Sequence, residues 1–337
     1  VDLTERGDLL ARLDPANALF LGCRLTREAE ERLRQAGALV FPHIPDTPFD
    51  AYRGLLYTAE ELYAGLDTDG YESTPDARIY AWAQNRRAHA DLPSTLAEAV
   101  HDHAISDALE EALAEHRVVG VMGGHALRRG DPGFAEAARL GRGLARAGFL
   151  VATGGGPGAM EAANLGAYLA PYPDVALEEA LALLRVEPDF SPDATRWARA
   201  AFAVRRKWPD GGTNIGIPTF HYGHEPPNIF ATGIAKYFRN ALREDTLLRW
   251  CDAGIAFLPG AAGTVQELFQ ATTENYYADA TAVAPLVLIG REHWSKRLPA
   301  WQLLSTLAAG RAMEPAIALV DDVHEVVRVL SNNREPG

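Results

Sequence analysis

Short apolar runs alternate with amphipathic stretches over most of the 337-residue chain, most regularly after residue 118. The runs at 118–122, 149–152, 214–217, 254–258, 285–289 and 316–320 are too short for independent helices, which predicts buried strands. Between them apolar positions recur at helical spacing over 133–147, 158–169, 230–250, 264–277 and 321–330. Two more helical stretches, about 175–185 and 193–206, read as an insertion, and a long loop runs to Asn228. Strands alternating with helices predict an α/β fold built on a doubly wound parallel sheet.

The earlier part has a pattern of its own: strand 18–21, helix 26–35, strand 38–41, then the turn-rich Pro42-His-Ile-Pro-Asp-Thr-Pro48. Helical patterns follow at 58–66 and 76–87, and a longer one at 94–116 that Ser94 could cap. The expected organisation is a smaller N-terminal α/β domain or cap over 1–93, a connecting helix over 94–117 and a larger domain over 118–337.

Two glycine-rich turns interrupt the larger domain, Gly154-Gly-Gly-Pro-Gly-Ala-Met-Glu161 and Pro259-Gly-Ala-Ala-Gly-Thr-Val-Gln-Glu267. Each follows a strand-like run and opens a helix. Such a turn leaves backbone N–H groups pointing outward where the helix dipole favours an anion. Two on one parallel sheet can grip a phosphorylated ligand between them. The second also carries a carboxylate, Glu267, for which a phosphate-only site has no use.

Composition narrows the partners. Hydrophobic content of 47% and charged content of 23% are ordinary for a soluble globular protein. No apolar run approaches the roughly 20 residues that cross a bilayer, so no membrane partner is expected. The start, Val1-Asp-Leu-Thr-Glu-Arg6, has no signal-peptide pattern, and Cys23 and Cys251 read as reduced core residues; both favour a cytoplasmic location. A net charge of −13 argues against nucleic acid, which needs a basic surface, but leaves room for a small anion in a local arginine pocket. The scarcity of lysine, with only Lys207, Lys236 and Lys296, leaves few candidates for a Schiff base.

The run 154–161 with its continuation Ala162-Ala-Asn-Leu-Gly166, and the run 259–267, resemble the two signatures of the LOG (Lonely guy) family, often labelled lysine decarboxylase-like. Gly120-Val-Met-Gly-Gly-His125 and Glu225-Pro-Pro-Asn228 most resemble its bacterial branch of pyrimidine/purine nucleotide 5′-monophosphate nucleosidases. The resemblance spans about residues 118–330 and makes no specific match to 1–93. It implies a Rossmann-like sheet and hydrolysis of the N-glycosidic bond of a nucleoside 5′-monophosphate, giving free base and ribose 5-phosphate. It further implies a homo-oligomer with sites near the subunit interface; the residues themselves lead us to expect an enzyme acting with no metal or organic cofactor.

By the same resemblance Glu267 occupies the place of the essential glutamate and Arg243 best matches the essential arginine. The segment between Arg243 and the motif proline is one residue longer than in the family, which keeps Arg239, a helical turn earlier, as an alternative. Two positions depart from the motif: Ala261 replaces its second glycine, and Gln266 stands where a glutamate often precedes the last one. The substrate-binding set comprises Gly124, His125, Gly155, Gly156, Gly158, Met160, Glu161, Asn228, Arg239, Pro259, Gly260, Gly263 and Thr264. A carboxylate beneath the sugar can stabilise an oxocarbenium-like state, position water or bind the ribose hydroxyls. A guanidinium can hold phosphate or polarise the base. Backbone N–H groups after Gly260 and Gly263, with the Thr264 hydroxyl, would take the 5′-phosphate.

For several of these residues a structural role competes. Glu161 could do no more than complement a helix dipole, and Met160 could be core. His221 and His224 flank a turn in a possible lid, where polar loop residues are common. His101 and His103 lie two apart on a helix and share no face for a metal. No lysine lies in a glycine turn for pyridoxal chemistry, and no clean nicotinamide fingerprint occurs. Beside the enzyme stand a non-catalytic nucleotide or cofactor carrier, and a sensor whose residues 1–93 bind a signal nucleotide.

Overall fold

The structure, a computed structural model, describes residues 1–88, 91–221 and 225–332. Its centre is a seven-stranded, wholly parallel sheet flanked by helices. The strands are β3 (Val118–Met122), β4 (Leu150–Thr153), β5 (Asn214–Gly216), β6 (Gly233–Ile234), β7 (Ile255–Phe257), β8 (Leu286–Ile289) and β9 (Ile317–Val320). They lie in the order β6-β5-β4-β3-β7-β8-β9. The expected Rossmann-like α/β architecture is what the chain adopts.

The physical reason is visible in β3, β4, β5, β7 and β8, where every residue is buried. Strands covered on both faces need continuous apolar runs rather than alternation. Helices Pro132–Arg146 and Ala159–Tyr168 cover one face and meet backbone to backbone. A β-carbon on Gly141 would lie 2.0 Å from the Ala163 carbonyl, and one on Gly166 would lie 1.8 Å from that of Ala138. The two glycines set this approach, and with it the position of the turn that precedes the second helix.

Three elements differ from expectation. Only Asn240–Trp250 of the stretch 230–250 is helical. Its first part instead lies along the sheet edge as β6, with Thr232 N donating to Asn214 O at 3.1 Å and Ala235 N to Gly216 O at 2.9 Å. Asp91, not Ser94, caps the long helix Leu92–Leu113, its Oδ1 accepting from Ser94 N at 2.9 Å. The stretch 58–66 breaks at Gly65, where φ is +86°, between Ala59–Leu62 and Leu66–Asp69.

Of the residues 1–93 expected as one unit, the first part carries β1 (Leu19–Leu21) and β2 (Leu39–Phe41), paired in parallel, with helix Arg27–Gln35 between them. Leu10, Phe20, Leu33, Ala38 and Val40 form its separate small core. From Tyr57 onward the packing changes: Tyr57, Leu62, Tyr63, Leu66 and Tyr71 join the core of the large sheet. Tyr57 and Ile234 exchange backbone hydrogen bonds at 2.9 Å. A buried ion pair, Lys236 Nζ to Asp76 Oδ1 at 2.6 Å, ties helix Pro75–Ala88 to the segment after β6. Cys23 and Cys251 are free thiols, the second buried. Among the described residues no helix is long and apolar enough to cross a membrane.

Candidate functional site

From β3 the chain moves outward through β4, β5 and β6, then returns to the other side of β3 with β7. That reversal opens a crevice at the carboxyl ends of β3 and β7, where parallel sheets bind ligands. The loops after the two strands meet there, with Gly124 N donating to Pro259 O at 3.2 Å.

The first glycine turn is buried and cross-braced. Gly155 N donates to Thr153 Oγ1 at 2.9 Å, and Thr153 Oγ1 donates to Asn164 Oδ1 at 2.7 Å. Asn164 Nδ2 reaches Asn214 Oδ1 at 2.7 Å. Asn228 closes the brace: its backbone N donates to Gly155 O at 2.8 Å and its Nδ2 to Asn164 Oδ1 at 2.9 Å. Asn228 is fully buried, so the structure places this expected ligand-binding residue beneath the turn, holding its shape. Gly158, at φ +74°, has no room for a side chain, since a β-carbon would lie 2.6 Å from both Gly124 O and His125 O. Met160 packs along the turn, its Sδ 2.7 Å from where a Gly154 β-carbon would be.

The second turn is open. Pro259 and Gly263 are exposed, and Thr264 at its base is buried. The first three N–H groups of helix Ala262–Tyr277 have no protein acceptor among the described residues. Free donors at a helix N-terminus can receive an anion. Ala261, which replaces the motif glycine, has a negative φ of −121°, so the turn does not require a glycine there for a left-handed conformation.

Glu267 lies one and a half turns into that helix, and Arg243 on helix Asn240–Trp250 faces it, Nη1 to Oε1 at 3.4 Å. Both are largely buried, with side-chain exposures of 13% and 11%. Arg243 Nη1 would be 3.7 Å from a β-carbon on Gly154, so this one guanidinium touches the first turn and the second helix together. Its Nε is buried without a protein partner among the described residues. Burial pushes the Glu267 carboxyl up to about 7; Arg243 opposes the shift and the neighbouring Glu244 adds to it. Asp102 aims the arginine's helix, its two oxygens accepting from Phe238 N and Arg239 N at 2.9 Å. The exposed Arg239 sits at the helix cap, while Arg243 is the arginine brought to Glu267.

The departure at Gln266 has a partner. Its Nε2 donates to Glu244 Oε2 at 2.5 Å, and Asn240 Nδ2 donates to Glu244 Oε1 at 2.7 Å. A carboxylate sits on the arginine's helix here, and an amide at 266 can donate to it where a glutamate would repel it.

Glu161 is buried against Arg129, whose Nε donates to it at 2.9 Å, with a second contact through Nη2. His125 Nδ1 stands 3.6 Å from Glu225 Oε1, at the rim of the first turn. Glu225 escaped the candidate set, although the loop containing it carried the family resemblance. His293, after β8, was missed altogether: it lies against the Gly260 backbone, burial holds its imidazole below the usual range, and its Nε2 is buried without a protein partner among the described residues. The available signal was its place just beyond the carboxyl end of a buried strand. His221 is exposed, and His224 lies outside the described residues. Among the described residues no cluster of three or more metal-ligating side chains occurs.

Residues 201–330 match the family described as possible lysine decarboxylase, a match that includes Arg243, Glu267 and the second turn. That match agrees with the LOG-family resemblance of the sequence motifs over the same residues. No curated protein matches the chain. Solved structures similar to it include the molybdenum cofactor binding protein from Rippkaea orientalis, 17% identical, covering 66% of this chain and 99% of that one with a TM-score of 0.42. The molybdenum cofactor carrier protein from Chlamydomonas reinhardtii is 18% identical, with coverage of 65% and 98% and a TM-score of 0.41. The structural-genomics target TM1055 is 22% identical, with coverage of 64% and 99% and a TM-score of 0.43.

Proposed function

We propose that the chain hydrolyses the N-glycosidic bond of nucleoside 5′-monophosphates, as the nucleosidase branch that its motifs resemble does. The observation that carries this reading is the Arg243–Glu267 pair, poised between a braced turn and an open anion seat. The 5′-phosphate takes the free N–H groups at the start of helix Ala262–Tyr277. The sugar then lies over Glu267. As the C1′–N bond breaks, its electron pair leaves with the base nitrogen and positive charge builds on the ribose, which the carboxylate stabilises. Water oxygen bonds to C1′ and one of its protons ends on the base. A carboxyl with a proton affinity near neutrality can take that proton up and hand it on.

The test is incubation with a panel of nucleoside monophosphates and the matching nucleosides, with free bases resolved by chromatography. Release of base from monophosphates far ahead of nucleosides is the expected result, because phosphate binding holds the sugar in register. Activity should survive exhaustive chelation, and a requirement restored by zinc or magnesium would overturn the site assignment. Tight binding with no base released would make the chain a carrier.

A further inference from the structure

We propose that a cavity beside the first glycine turn receives the base of the nucleotide, and that Asp189 at its mouth favours bases bearing an exocyclic amino group. This rests on the nucleotide reading above. The cavity measures about 230 Å³ and is lined by His125, Arg128, Gly158, Asp189, Phe190 and Trp197, among others. Whole-ligand sites run to roughly 300–1,000 Å³. A smaller recess with an aromatic wall suits one ring system of a ligand whose remainder lies in the adjoining crevice. The recess adjoins the anion seat: His125 follows Gly124, whose β-carbon would be 3.5 Å from Gly260 Cα.

The walls come from the insertion between β4 and β5. Phe190 and Asp189 lie in the loop joining helices Asp174–Leu184 and Ala194–Lys207, pinned by Arg129 N donating to Pro188 O at 3.0 Å. Phe190 meets Trp197 edge-on, with ring centroids 6.3 Å apart. Trp197 is buried and backed by the Arg129 guanidinium at 4.4 Å, so this wall is rigid. Phe190 itself is half-buried and keeps surface free for a planar ring. Arg129 also neutralises Glu161 on the floor, so no free charge faces the ring from below.

Selectivity follows from Asp189. Its Oδ1 accepts from Ser191 N at 3.1 Å, and its Oδ2 stands 3.8 Å from Arg128 Nε, too far for a hydrogen bond. A carboxylate only accepts. It therefore matches the amino edge of adenine and opposes the carbonyl that hypoxanthine presents at the same place.

The experiment is titration calorimetry of the full chain with adenosine 5′-monophosphate, inosine 5′-monophosphate and ribose 5-phosphate, repeated on Phe190→Ala and Asp189→Asn. Adenosine monophosphate should bind the parent at least about tenfold more tightly than ribose 5-phosphate, the scale of one base stacked on an aromatic ring. Phe190→Ala should remove most of that advantage and leave ribose 5-phosphate unchanged. Asp189→Asn should bring the adenine and hypoxanthine nucleotides to within about twofold, since an amide both donates and accepts. Equal binding of nucleotide and ribose 5-phosphate by the parent overturns the proposal, as does equal weakening of all three ligands by a folded Phe190→Ala. If Phe190→Ala does not fold, Asp189→Asn decides, and an unchanged adenine preference overturns the selectivity. Base-selective binding without base release keeps the pocket and removes the nucleosidase reading. Turnover indifferent to both variants does the reverse, and no binding of any ligand removes both.

Discussion

The two glycine turns look alike as text and differ as structures. The turn at 154–158 is buried, uses φ of +71° and +74° at Gly155 and Gly158, and is held from beneath by Thr153, Asn164, Asn214 and Asn228. The turn at 259–263 needs no positive φ, lies largely at the surface and keeps its N–H groups free. One is a fixed wall and the other an open seat. A glycine-rich motif can therefore serve rigidity or ligand access, and only the partners of its backbone groups say which.

The largest test of this contrast sets Gly158→Ala against Gly263→Ala. At Gly158 a methyl group meets two carbonyls at 2.6 Å in a strained conformation, and the loss of stability should reach at least about 3 kcal/mol. At Gly263 a β-carbon meets nothing within 4 Å, and the denaturation midpoint should hardly move. Equal losses would erase the distinction between the turns.

Next in size is Glu267→Gln, which removes the charge and keeps the shape. Turnover on the best monophosphate should fall at least about a hundredfold. In the parent, activity should rise with pH through about 7, as the raised carboxyl ionises. The stability sign runs the other way. A carboxyl raised in the folded state contributes stability below its ordinary pKa and loses it as pH rises through about 7. The glutamine variant should therefore melt a few degrees above the parent at pH 8, with the gap closing by pH 5. A variant that melts lower at pH 8 contradicts the buried-carboxyl account.

Asn164→Ala breaks the brace under the first turn and leaves buried partners unpaired, at a cost of about 1–3 kcal/mol. Denaturant titration measures it, and a loss under about 0.5 kcal/mol would mean that the brace is dispensable. The smallest effect is at the seat: Thr264→Val should raise the KM for monophosphates about tenfold, one hydrogen bond to a charged group, and scarcely alter activity on nucleosides. Indifference to the change would take Thr264 out of the phosphate contacts.

Much of the large sheet was legible because strands buried on both faces are written as unbroken apolar runs such as Val118-Val-Gly-Val-Met122. β6 was not, because two residues at a sheet edge carry no period, and their apolar neighbours from Ile229 to Phe238 suit a helix as well as a covered edge. The seam near Tyr57 was hidden for a similar reason. Apolar spacing shows that a helix has a buried face, not which core receives it.

What the sequence determined by itself is the local chemistry: apolar runs that must leave water, glycines where the chain turns hard, and a carboxylate and an arginine of the right types. Tertiary structure decided which of these meet. It placed Arg243 rather than Arg239 against Glu267 and took up Glu161 with Arg129. It put Asn228 beneath the first turn and brought Glu244, 22 residues before Gln266, to that amide. Each outcome depends on the order of strands and the approach of helices across the sheet. Contacts between residues far apart in the chain follow from packing the whole core, which no local pattern encodes.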